Sequence, residues 1–299
     1  MTNLSLPLRE WLEANYCINF IEIATKQVSN DGTIKLGFKL HDGFLVEGVL
    51  IPTDGRYTAC VSSQVGCSLT CKFCATGQMK RMRNLDYSEI VDQVFLINQI
   101  SEEHYKTPLS NIVYMGMGEP LLNYNNVLKS IERITAEDGL NRSPRRITVS
   151  TAGIAKLIKK LADDNKKVNL AISLHAANDV KRDQIMPINE QNTLSALKEA
   201  LKYYYDQTGR MVYYEYILFN NFNESVEDAN ELVDFCKNVP CKVNMIEYNT
   251  VEGTGLEKAK EDKLLKFQET VARQGITITL RRSRGKDIDA ACGQLANKS

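Results

Sequence analysis

Three cysteines crowd one short stretch, "CSLTCKFC", where Cys67, Cys71 and Cys74 fall at the spacing C-x3-C-x2-C. Thiolate is a soft ligand that selects iron–sulfur clusters or zinc. Sites built wholly from cysteine usually take four thiolates. A structural zinc site would need a fourth ligand at finger-like spacing, and the nearest downstream histidine, His104, lies far along the chain. Zinc is therefore the alternative reading. A cubane cluster on three thiolates leaves one iron open, and an open position on a redox metal is a catalytic arrangement whose fourth ligand is a substrate or cofactor. The remaining cysteines have a plainer reading. Cys17, Cys236 and Cys241, and taken alone Cys60 and Cys292, read as small buried hydrophobes.

Something must hold that loop in place. Apolar strand-like runs occur at "YTACVSS", "NIVYMG", "RITVSTA", "VNLAISLH", "VYYEYILF" and "KVNMIEY", with amphipathic helical segments between them. One helix starts at a cap-like Asp86 and Glu89 and carries Ile90, Val94 and Ile97 on one face. In another, Asn192 precedes Leu194, Leu197 and Leu201. Strands alternating with helices imply a parallel sheet with right-handed crossovers, either doubly wound or a partial (β/α) barrel. In both, chemistry belongs at the C-terminal ends of the strands. The cysteine loop follows the first strand, "GMGEP" the second, "ST" the third, "SLH" the fourth and "YN" the sixth.

Residues 1–55 read as a small accessory unit: a helical start, then "TIKLGFKL" and "FLVEGVLI" joined at an Asp42-Gly43 turn. Ile34, Leu36, Phe38 and Leu40 alternate as in a half-buried strand, and Glu47 alone reads as a solvent-facing strand residue. Residues 56–275 hold the alternating strands and helices, and 276–299 read as a C-terminal extension. The chain has 299 residues, 37 basic and 37 acidic, hence zero formal charge. That disfavours a protein that simply coats nucleic acid. Local basic clusters remain at Lys80–Arg83, Arg142–Arg146 and Arg281–Lys286. No run approaches a membrane helix and no signal peptide is read at the start, so a cytoplasmic protein with reduced thiols is expected.

The cysteine spacing resembles the radical S-adenosylmethionine superfamily. The longer stretches "CVSSQVGCSLTCKFCATG", "VYMGMGEPLLNY", "ITVSTAG", "AISLHAAND" and "RRSRGKDIDAACGQLA" are similar to the RlmN family, adenine-C2 methyltransferases of 23S ribosomal RNA and transfer RNA. That resemblance implies a partial (β/α)6 barrel, a [4Fe–4S] cluster on Cys67, Cys71 and Cys74, and S-adenosylmethionine as cofactor. It assigns Gly118 and Glu119 to the methionine end of that cofactor. Ser150, Ser173, Leu174, His175 and Asn249 match contacts to its adenosyl part. Cys292 matches a methyl carrier that becomes S-methylcysteine and then bonds to RNA. Cys60 matches the thiol that resolves this adduct through a transient disulfide with Cys292, and Glu47 matches the proton acceptor. Radical addition suits the target, because the electron-poor C2 carbon has no lone pair with which to attack a methyl donor.

The resemblance also implies a one-electron reductant of flavodoxin or ferredoxin type, a monomer, and no membrane. The sister Cfr family, which methylates adenine C8, shares the cysteine layout and is the alternative. RlmN relatives usually carry a longer N-terminal helical domain, so residues 1–55 read as shortened. Placed just before Cys292, Arg281, Arg282 and Arg284 are expected to contact RNA phosphates.

Overall fold

All six apolar runs are parallel strands, and their neighbours decide which of the two folds is built. The computed structural model describes residues 4–16 and 20–297; Cys17 lies outside them. In chain order the elements are α1 (Leu6–Asn15), β1 (Glu22–Val28), β2 (Ile34–Lys39), β3 (Leu45–Thr53), β4 (Arg56–Cys60), β5 (Gln64–Val65), β6 (Arg83–Asn84), α2 (Tyr87–Tyr105) and β7 (Asn111–Tyr114). Then come α3 (Tyr124–Thr135), β8 (Ile147–Thr151), α4 (Ala155–Asp163), β9 (Asn169–Ser173), α5 (Asp179–Ile185), α6 (Leu194–Thr208), β10 (Val212–Leu218), α7 (Val226–Cys236), β11 (Cys241–Glu247), α8 (Glu261–Arg273) and β12 (Ile278–Arg281).

The main sheet runs β1-β2-β3-β4-β7-β8-β9-β10-β11-β12. From β4 onward every neighbouring pair is parallel and the order never reverses. A doubly wound sheet reverses at a switch point; a sheet that steps monotonically around is an open barrel. The antiparallel strands β1 to β3 extend it beyond β4.

Three details differ from the expectations. A seventh parallel strand, β12, lies within the stretch read as an extension. Its four residues alternate weakly between burial and exposure, too short a signal to read. The strand β2 is covered on both faces, with Lys35 and Gly37 buried along with Ile34, Leu36 and Phe38. Lys35 is tolerated there because it meets Glu47 at 3.5 Å, and a buried ammonium needs such a partner. Third, the cap of α6 is Thr193, which accepts from the Ala196 N–H; the Asn192 side chain instead accepts from the Ala155 N–H. The α2 start carries the expected capping box of Asp86 and Glu89.

Two apolar clusters matter for function. The larger fills the barrel and the spaces under the helices. The smaller caps the C-terminal mouth with Phe73, Met186, Ile217, Phe219 and Tyr248, and Cys67, Cys71 and Cys74 pack against it. Among the described residues no helix is long and apolar enough to cross a membrane.

Candidate active site

The cysteine loop leaves β4 and folds back on itself. The Cys74 N–H donates to the Cys71 carbonyl at 3.2 Å and the Gly77 N–H to the Cys74 carbonyl at 3.0 Å. Gly77 is required by close approach, since a Cβ there would lie 2.7 Å from the Cys71 carbonyl oxygen. Burial pushes the Cys67 thiol up to about 11 and raises Cys71 and Cys74 too. The neighbouring thiols of Cys74 and Cys67 add to the rise at Cys71. Such a set ionises only when a cation sits among it, which fits an iron–sulfur cluster. Among the described residues no three histidine, cysteine or carboxylate side chains are drawn together around the space of a single ion.

The "GMGEP" loop follows β7. Gly118 takes φ +94°, and a Cβ there would lie 2.5 Å from that of Gln64. The buried Glu119 carboxylate accepts from the Leu121 N–H at 3.0 Å and the Ala152 N–H at 2.8 Å. Burial outweighs these bonds and pushes its carboxyl up to about 7. An arriving ammonium would favour the charged form.

The other predicted cofactor contacts line adjacent strand ends. Ser150 lies near the end of β8, Ser173 ends β9, Leu174 and His175 follow it, and Asn249 lies just beyond β11. His175 adopts φ +56°, and its Nδ1 accepts from the Ile217 N–H at 3.1 Å. Nε2 is then the protonated nitrogen of the neutral ring. Burial, with the nearby Arg182 charge, holds the imidazole down at about 3. Phe73 of the cysteine loop stacks edge-on against this ring at 4.6 Å.

Glu47 and the C-terminal segment form the opposite wall. Glu47 is buried, against the solvent-facing reading of its strand. Its Oε2 accepts from the Ala296 N–H at 2.9 Å and the Asn297 N–H at 3.1 Å. Its backbone N–H meets the Met117 sulfur of the "GMGEP" loop at 3.4 Å. The segment that carries Cys292 crosses the cysteine loop, where the Ala75 N–H donates to the Gly293 carbonyl at 2.7 Å and Thr76 Oγ1 to the Leu295 carbonyl at 2.5 Å. Asn249 Nδ2 donates to the Cys292 carbonyl at 3.3 Å. Cys60 is buried at the end of β4, and Cys292 is exposed; both are free thiols. Burial raises the Cys60 thiol, and the neighbouring Cys292 adds to that rise. The structure thus brings Cys60, Cys292 and the cluster loop together.

Four residues with no legible signal complete the site. Arg182, in an ordinary-looking charged helix, is fully buried. It donates to the carbonyls of Ala152, Ser173 and Leu174 and so ties the ends of β8 and β9. Lys35 pairs with Glu47. Glu247 ends β11 and gathers Lys258, Arg282 and Lys286. Glu215 lies inside the barrel on β10.

The basic clusters sort by topology and by pairing. Arg142–Arg146 precede β8, so they lie at the barrel end opposite the site. Arg282 and Lys286 are held by Glu247 and Glu261, so Arg282, expected to contact phosphate, is already paired here. Arg83 is held by Asp42 and Glu89. Lys80 and Arg81 are exposed and border an open pocket of about 530 Å3 beside Cys67. Arg281 and Arg284 make no ion pair among the described residues.

Comparison with known proteins agrees with this geometry. The model of the radical SAM superfamily matches residues 61–236. A probable dual-specificity RNA methyltransferase RlmN from Cytophaga hutchinsonii is 61% identical over 100% of this chain and 82% of its own length. The relative of the same name from Bacillus subtilis is 43% identical, again over 100% of this chain and 82% of its own. A radical SAM methyltransferase from Sphaerobacter thermophilus superposes with a TM-score of 0.93 at 39% identity, covering 98% of this chain and 86% of that one.

Proposed function

Because the chain belongs to the RlmN family within the radical SAM superfamily, we propose that it methylates carbon 2 of adenine in 23S ribosomal RNA and of the adenine 3′ to the anticodon in transfer RNA. When bound, a [4Fe–4S] cluster and S-adenosylmethionine supply the methyl group and a hydrogen-abstracting radical. Cys67, Cys71 and Cys74 would hold the cluster. Gly118 and Glu119 would receive the amino-acid end of S-adenosylmethionine, and Ser150, Ser173, Leu174, His175 and Asn249 its adenosyl part.

The observation that carries the reading is the meeting of two thiols beside the cysteine loop, Cys60 on a strand end and Cys292 on the segment laid across that loop. Cys292 carries the methyl group and then the bond to adenine C2. Glu47 takes the C2 proton. For that, its Oε2 must first be released by the Ala296 and Asn297 amides that hold it here. Cys60, as its thiolate, attacks the Cys292 sulfur; the carbon–sulfur bond breaks with its pair onto the methylene carbon, which takes a proton to become the methyl group, and a Cys60–Cys292 disulfide is left. A cellular dithiol then restores both thiols. Zinc at the cysteine loop is set aside by the radical SAM family match, and C8 chemistry because relatives similar over the full chain carry the RlmN name.

RNA reaches the site over Lys80 and Arg81, with Arg281 and Arg284 on the far rim, since these exposed or half-exposed cations at the strand C-terminal end carry no ion pair among the described residues. We place the protein in the cytoplasm as a monomer served by a flavodoxin- or ferredoxin-like reductant. The test is anaerobic turnover with RNA and labelled S-adenosylmethionine, followed by nucleoside mass spectrometry. Iron, sulfide and 2-methyladenosine are expected. Either 8-methyladenosine or a colourless zinc protein would contradict the reading.

A further inference from the structure

The loop Gly116–Pro120 is stitched to the chain just ahead of the cysteines. The Gly116 N–H donates to the Val61 carbonyl at 3.0 Å, and the Met117 N–H to Ser62 Oγ at 2.8 Å. The Met117 carbonyl accepts from the Ser63 N–H at 2.9 Å and the Gln64 N–H at 3.2 Å. Beyond Met117 a side chain takes over, and the Glu119 N–H donates to Gln64 Oε1 at 2.8 Å. Gln64 is fully buried.

A buried amide must satisfy both of its ends. With Oε1 turned to Glu119, Gln64 Nε2 donates to Asn84 Oδ1 at 2.8 Å. Asn84 is the register partner of Gln64 in the β5–β6 pair, and its Oδ1 also accepts from Arg81 Nη1 at 3.3 Å. Asn84 Nδ2 donates to the Leu122 carbonyl at 3.3 Å, in the turn Pro120–Asn123 that follows Glu119. Turning over either amide would set donor against donor and acceptor against acceptor, so the chain of bonds holds one orientation. Glu119 is thereby fastened on both sides, through Gln64 at its own N–H and through Asn84 at Leu122. Its carboxylate is held separately, by the Leu121 and Ala152 N–H groups.

We propose that Gln64, anchored by Asn84, is a positioning residue that aims Gly118 and Glu119 at the amino-acid end of S-adenosylmethionine. The proposal rests on the assignment of that loop to the amino-acid end. Gly118 explains the need. Its φ of +94° belongs to a residue with wide backbone freedom, so the direction of the following residue has to be set by an outside contact. Gln64 provides it at the Glu119 N–H, and Gly118 lacks the Cβ that would collide with it. Gln64 and Asn84 act through the loop, so their effect falls only on ligands long enough to reach it.

The test uses cluster-loaded protein without RNA and reads equilibrium binding, not turnover. Two probes share the adenosyl thioether. S-adenosylhomocysteine carries the amino acid, and 5′-methylthioadenosine has a methyl group in its place. The wild type should prefer the first. Gln64→Met keeps the side-chain length and removes both hydrogen bonds. It should weaken S-adenosylhomocysteine about tenfold and leave methylthioadenosine within about twofold. Asn84→Ala, at the half-buried end of the chain, should weaken the same probe about fourfold. Because the two residues act in series, the double variant should lose no more than about tenfold. Should Gln64→Met fail to fold, Asn84→Ala decides by the same difference between probes. Equal loss of both probes means general damage to the site, unchanged S-adenosylhomocysteine binding means that the loop holds itself, and additive losses mean two unrelated contacts. Each overturns the proposal, and a wild-type preference for S-adenosylhomocysteine leaves the assignment of the loop standing. Equal binding of the two probes by the wild type overturns that assignment as well.

Discussion

Two thiols meet at this site on very different supports. Cys60 ends β4, where it pairs in register with Val49 and Val113 of the neighbouring strands and is buried. Cys292 lies beyond the last strand on an irregular segment, exposed, and held by scattered polar contacts. Asp287 accepts from Ser29 Oγ and the Asn30 N–H, and Asp31 accepts from the Gly285 N–H. Glu247 holds Lys286, and Glu47 holds the tail. A fixed strand end suits a group that only waits. A segment fastened by separable bonds suits the proposed carrier, which would visit a methyl donor, a base and a second thiol in turn. The difference between the two lies in their fastening: ladder pairing holds Cys60, and scattered polar contacts hold the Cys292 segment.

The largest expected effect separates carrier from scaffold. Cys292→Ala should abolish RNA methylation while leaving the melting temperature within about 2 °C, because an exposed side chain on this segment carries little packing energy. Cluster content, read from iron and the visible spectrum, should persist. A methylating Cys292→Ala protein would remove the distinction altogether.

Next in size is release of the segment. Glu247→Gln weakens the shared partner of Lys258, Arg282 and Lys286. Amide exchange over residues 283–297 should quicken about tenfold or more, with β4 unchanged. Acid should act in the same direction. Burial opposes the ionised form of Glu247, but bonds from Lys258 and Lys286 prevail and hold its carboxyl down at about 2. Its contribution is therefore complete above the ordinary glutamate value of about 4.5 and is lost as pH falls from there toward 2. Exchange followed from pH 6 to 3 should show the C-terminal segment loosening before β4 does. Simultaneous loosening would mean that the two supports are one unit.

The smallest effect concerns the proposed RNA-facing rim. Reversing Lys80 and Arg81 to glutamate should lower RNA affinity and reduce the slope of log affinity against log salt by about 2. Reversing Arg145 and Arg146, at the other end of the barrel, should leave that slope unchanged. Equal effects from both pairs would point to nonspecific attraction and not to a defined approach beside Cys67.

Much of the strand side was legible and much of the carrier side was not. The six apolar runs announce themselves because parallel strands buried on both faces are continuously hydrophobic. The cysteine loop is legible from spacing alone, as is the Asp86–Glu89 capping box. By contrast β1 has every residue exposed, so no periodicity marks it, and β12 is too short. Arg182 and Glu215 look like ordinary charged residues until packing buries them. The polar fastening of the Cys292 segment joins residues more than 200 positions apart, such as Ser29 with Asp287 and Glu47 with Asn297, and no local pattern encodes such pairs. Resemblance supplied Glu47, Cys60 and Cys292 where physical reading alone left each one bland.

The strand-held and segment-borne thiols are tested together by Cys60→Ala, since it removes the proposed resolving partner and spares the proposed carrier. Incubated anaerobically with RNA, reductant and S-adenosylmethionine, the variant should accumulate RNA covalently joined to Cys292. The adduct should survive denaturation on a gel and appear as a modified Cys292 peptide by mass spectrometry, with no released 2-methyladenosine. Normal turnover by a folded Cys60→Ala protein, or a folded protein that accumulates no adduct, would contradict the account.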